Sequence, residues 1–135
     1  MEIVHDLSFI VPISITAFFA IVFLQSGLDK IVDWKGNKEW LSSHFKSTFL
    51  SSMVPFLIAV VAFFELFAGV LAVVGGVYFL VNGSTFWIEQ SVIVSILSLL
   101  MLLFGQRIAK DYDGAKTIAI YFGIALLSAI FLNHS

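Results

Sequence analysis

Cysteine is absent from all 135 residues. That excludes disulfide staples, thiol exchange, thiolate metal sites and covalent attachment of a c-type haem. Charge is scarce too: 12% of residues are charged, against about 25% in a typical soluble domain. The seven Lys and Arg residues and a net charge of −2 make no patch suited to nucleic acid. His5, His44 and His134 lie near opposite ends of the predicted bundle, outside every apolar run. They make no metal-ligand spacing, and haem held by histidine inside a bilayer is not expected. No glycine-rich phosphate loop follows a strand, and no nucleophile has a base nearby. The expected set of catalytic residues and metal ligands is therefore empty.

Apolar residues are what the chain has in excess. They make up 60% of it, and the mean hydropathy is +1.04. A soluble domain has about 45–50% apolar residues. A water-soluble monomer of this length cannot hide that much apolar surface, because small folds bury a limited share of it. Four apolar runs cover residues 9–28, 53–80, 88–106 and 114–132. About 20 such residues cross the hydrocarbon core as a helix. Pro12 and Pro55 fall in first turns, where a missing N–H costs little. Asn82-Gly83-Ser84 marks a turn. The predicted fold is all-α: a single integral membrane domain, a four-helix bundle running up-down-up-down. Met1 to Asp6 lacks the basic start of a signal peptide, so the first run reads as a retained anchor.

The first connection, Trp34 to Ser52, is mixed in character. Leu41, Phe45 and Phe49 recur at four-residue spacing, one face of a helix, and Trp40 adds to the aromatic content. A short helix in the headgroup plane is expected there, with Asn37 as its cap. An ordered loop with buried aromatics is the alternative.

The basic residues fall into two groups. Lys30, Lys35, Lys38 and Lys46 belong to the first connection, and Arg107, Lys110 and Lys116 to the third. The positive-inside bias then places both connections in the cytoplasm and both termini outside. The basic face should attract anionic lipid.

Glu65 is the most informative residue. It stands in Phe63-Phe64-Glu65-Leu66-Phe67, deep in the second run. A carboxylate in hydrocarbon is costly, so it must face protein or water, be paired, or hold a proton. Gly69, Ala72 and Gly76 share its helical face, a groove suited to close helix contact. Two readings stay open: a structural hydrogen bond between helices, or a functional group for proton handling, ligand anchoring or contact with a quinone-like head. By depth, Gln25 and Tyr121 are the expected direct partners, with Gln106 and Arg107 nearby. Arg107 has the alternative of extending to phosphate. Lys30 or Arg107 is expected to pair with Asp29, Asp111 or Asp113 at the rim. Two stripes, Ser91-Ser95-Ser98 and Ala115-Ala119-Gly123, read as packing seams.

Several of these segments carry a family resemblance: Phe23-Leu24-Gln25-Ser26-Gly27-Leu28-Asp29-Lys30-Ile31, then Glu65-Leu66-Phe67-Ala68-Gly69, then Gly105-Gln106-Arg107 and Gly114-Ala115. In order and spacing they resemble the DoxX/DoxD-like family of small four-span membrane proteins. The resemblance implies an accessory or structural subunit of a bacterial inner-membrane respiratory or redox complex. Such a subunit would aid assembly or position lipid or quinone. It would have no cofactor of its own and would work beside larger membrane subunits. Bound quinone or phospholipid is the expected ligand, with Glu65, Tyr121, Gln25 and Arg107 as candidate contacts. Two alternatives remain: a quinone-binding oxidoreductase subunit using Glu65, or a small permease acting as a homo-oligomer.

Overall fold

The computed structural model describes residues 7–44, 46 and 51–134. Among the described residues there are five α-helices: α1 (Leu7–Val32), α2 (Trp34–His44), α3 (Val54–Asn82), α4 (Phe86–Ile108) and α5 (Tyr112–His134). A short 3-10 turn, Ser51–Met53, leads into α3. The four long helices are long and apolar enough to cross a membrane. Only 22% to 33% of the most apolar stretch of each is buried within the protein, so most of the apolar surface faces outward. In water that surface would drive aggregation; in lipid it is solvated. The protein is an all-α membrane bundle with a short extra helix in its first connection.

The helices overrun their apolar runs. α1 continues through Asp29 and Lys30 to Val32, and α4 through Arg107 to Ile108. Polar residues can end a helix's membrane segment without ending the helix. What stops each helix is local. After α3, Gly83 takes a left-handed φ of 74°, and its N–H bonds back to the Phe79 carbonyl. After α4 the same role falls to Lys110, at φ 62°. The Asp111 N–H reaches back to the Gln106 carbonyl, as in a Schellman cap, where glycine is the usual residue. Lys110→Gly should therefore stabilise the bundle by about 1 kcal/mol. Denaturant titration in micelles would show it as a raised midpoint. Asp111 then caps α5, its carboxylate accepting the Gly114 N–H at 3.2 Å.

α3 lies between α1 and α4, and α5 rests mainly on α4. The core runs along these seams: Phe19 and Phe23 stack 5.8 Å apart, with Ala68, Ala72, Val92 and Leu99 around them. Ser91, Ser95 and Ser98 are fully buried and self-sufficient, since each hydroxyl donates to a carbonyl three or four residues back. The stripe expected on α5 is different from the observed one. Ala115 is buried, but Ala119 is exposed, and a Cβ at Gly123 would meet nothing within 4 Å. Ala125, Ser128 and Leu132 are the buried positions instead. Between α1 and α5 a groove of about 330 Å³ remains, lined by Val11, Ile15, Phe18 and Ile124.

α2 confirms a helix in the first connection but begins at Trp34, so Asn37 lies inside it and does not cap it. Phe45 and Phe49, two of the three residues expected to form its apolar face, lie outside the described residues.

Candidate functional site

The seam between α1 and α3 sets the geometry around Glu65. Each helix carries a Leu-x-x-Gly step: Leu24 to Gly27 on α1, and Leu66 to Gly69 on α3. The two steps interlock. A Cβ at Gly27 would fall 2.7 Å from Leu66 Cγ, and one at Gly69 would fall 2.7 Å from Leu24 Cγ. Each leucine thus sits over the opposite helix's glycine, which lets the antiparallel backbones close together. Further along, Gly76 takes the Thr16 side chain in the same way.

This register brings Glu65 against the last two turns of α1. Its side chain is only 2% exposed. The Ser26 hydroxyl donates to Oε2 at 2.7 Å. Lys30 Nζ donates to the Ser26 oxygen at 2.8 Å and stands 2.8 Å from Glu65 Oε1 as an ion pair, off the line of a regular hydrogen bond. Helical side chains lean toward the N-terminus. That is why Lys30 reaches inward to Ser26, one turn back, and not outward to the rim. Ammonium, hydroxyl and carboxylate form a closed triangle at the basic end of the bundle.

Beside the triangle lies a cavity of about 320 Å³. The interlocked glycines place the end of α1 about level with residue 61 of α3, so the first two turns of α3 project past it. α4 runs alongside these turns. The cavity lies at this end of the bundle, next to Lys30. Val54, Leu57, Ile58 and Val61 of α3 face Met101, Leu102 and Gly105 of α4 across it. Its polar lining is Lys30, Gln106 and Asp111, with Trp40 of α2 at the edge.

The expected partners of Glu65 are placed elsewhere. Gln25 is exposed, because one residue of helix turns it about 100° away from Ser26. Tyr121 meets Phe18 edge-on, with ring centres 5.7 Å apart, because α5 packs on α4 and not on α3. Arg107 is exposed, its guanidinium 4.9 Å from the centre of the Tyr112 ring. The rim pairing expected for Lys30 is replaced by its pairing with Glu65. Ser26 and Lys30 were legible in principle: they continue the buried stripe of Phe19, Phe23 and Gly27 at helical spacing. Among the described residues no three His, Asp or Glu side chains gather in a way that holds a metal ion.

In comparisons with family models, curated proteins and solved structures, the chain matches none.

Proposed function

We propose that this protein is an accessory subunit of a larger membrane assembly, and that it holds one lipid-borne amphiphile in the cavity at its basic end. The observation that carries this reading is the cavity itself: mostly apolar walls, with Lys30, Gln106 and Asp111 as its polar lining. That combination of apolar surface and a few convergent polar groups is the usual form of a small-molecule site. The ligand classes that fit an apolar body with a polar head are a quinone or a phospholipid. The resemblance to DoxX/DoxD-like proteins supports the accessory role and a place in a bacterial respiratory or redox complex, with the basic end in the cytoplasm.

The closed triangle bears on the other readings. Glu65 already has Ser26 and Lys30 as partners, so donating a proton to a quinone would first require breaking that pair. A permease using Glu65 as a relay meets the same obstacle. The triangle serves this protein better as a brace that fixes α1 against α3 and so keeps the cavity open.

Gentle extraction from native membranes followed by native mass spectrometry tests the proposal. The chain is expected in fixed ratio with larger subunits, carrying one retained amphiphile. Recovery as a free, ligand-empty chain would overturn it.

A further inference from the structure

Lys30 belongs to two structures at once. Its ammonium closes the triangle, 2.8 Å from an oxygen of Ser26 and 2.8 Å from one of Glu65. Lys30 also lines the cavity, and neither Ser26 nor Glu65 does. The exposures agree: 15% for the lysine side chain and 2% for the glutamate. A molecule in the cavity would meet Lys30, with Glu65 standing behind it. An ammonium carries three N–H donors and no acceptor. Among the described residues the Ser26 oxygen takes one, and the Glu65 oxygen lies off the line of a second. Donor capacity is left over on the one cation of the lining, and a group that only donates calls for an acceptor.

Charge narrows the choice. Glu65 meets the Lys30 charge at contact distance. Asp111, the other charged residue of the lining, adds a carboxylate, which accepts the Gly114 N–H and so is held in place. Two carboxylates thus stand against one ammonium around the polar end of the cavity, which disfavours an anionic head. A cationic head without a lone pair offers Lys30 nothing to bond.

We infer that the cavity takes a neutral amphiphile whose head accepts a hydrogen bond from Lys30, as an ester or ketone carbonyl does. Glu65 sets this preference without touching the ligand, by balancing the Lys30 charge. It is a positioning residue that acts through Lys30. This rests on the reading of the cavity as a ligand site. Without the Glu65 charge, Lys30 would face the cavity as an unbalanced cation, and the same walls would admit an anion.

Trp40 at the cavity edge supplies the readout. In a W34F/W87F variant it is the remaining tryptophan. The full chain in phosphatidylcholine nanodiscs is titrated with dodecane, methyl dodecanoate, dodecanesulfonate and dodecyltrimethylammonium while Trp40 emission is followed. Occupancy is referred to the mole fraction of probe in the bilayer. Methyl dodecanoate is expected to saturate at mole fractions about tenfold lower than dodecane, the worth of one hydrogen bond to a charged group. Glu65→Gln keeps the side-chain shape and an oxygen for Ser26. It should raise the affinity for the sulfonate, relative to the ester, by about tenfold or more. K30L/E65L removes donor and charges together and should bring the ester down to the level of dodecane. It tests the Lys30 assignment even if Glu65→Gln is not recovered folded, as checked by circular dichroism. A purely structural brace would leave the head preference unmoved in both variants. Tightest binding of the parent by the sulfonate or the trimethylammonium overturns the inference. So does an ester preference that survives in K30L/E65L, or a folded Glu65→Gln variant with no gain for the sulfonate. Saturable binding of dodecane equal to that of the ester overturns the head assignment but leaves a ligand cavity. Failure of every probe to shift Trp40 removes the ligand site as well.

Discussion

Lys30→Leu should destabilise the bundle by about 3–5 kcal/mol, the usual cost of stranding one member of a buried ion pair. The carboxylate left behind is 2% exposed and would keep only the Ser26 hydroxyl as a partner. Glu65→Leu should cost less, about 1–3 kcal/mol. The orphaned lysine has a long flexible stem, sits near the end of α1 and is 15% exposed, so it can extend to the interface. The double variant K30L/E65L should recover most of the loss, since two apolar side chains solvate each other where the charges stood. Unfolding in mixed micelles with increasing dodecyl sulfate would give all three values. The cycle should show a coupling of about 2 kcal/mol or more. Losses that simply add in the double variant would mean that the triangle does not brace α1 against α3.

The second large effect is at the hairpin between α3 and α4. A Cβ at Gly75 would lie 2.7 Å from Ile88 N and 2.9 Å from its Cα. These are backbone atoms, so no side chain can rotate out of the way. Gly75→Ala should cost about 2–3 kcal/mol through forced separation of the helices. Gly69→Ala meets the Leu24 side chain first and should cost about 1 kcal/mol as that side chain shifts. Gly123→Ala meets nothing within 4 Å, so it should gain about 0.5–1 kcal/mol from helix propensity. The same micelle titration ranks the three. A Gly75→Ala variant as stable as the parent would show that α3 and α4 are not in close backbone contact there.

The four membrane helices were readable because each is an apolar run long enough to span lipid, with prolines at starts and polar turns between. Glu65 was readable for the opposite reason, as a charge where none is expected. Its partners were misjudged because depth alone ranked them. Depth favoured Gln25 over Ser26, yet helical phase decides which of two adjacent residues faces α3. Depth also set Tyr121 near Glu65, but contact required α5 to adjoin α3, and the short connection after α4 leaves α5 on α4. The basic rim misled in a related way: Lys30 belongs to it in sequence, but its side chain leans back into the bundle. The cavity was not readable at all. It depends on how α1, α3 and α4 are levelled against one another, which for α1 and α3 the interlocked Leu-x-x-Gly steps fix. Sequence periodicity along one helix carries no information about the register of two.

The loose groove between α1 and α5 divides the molecule into parts of unequal firmness. α1, α3 and α4 form a slab that contains the triangle and most of the cavity walls. α5 has the smallest buried share, 22%, and leans mainly on α4. Regions with few buried contacts open first. Opening of α5 would leave Lys30 and Glu65 paired but would release Asp111, which caps α5 and lines the cavity, so the part that opens first adjoins the cavity and not the triangle.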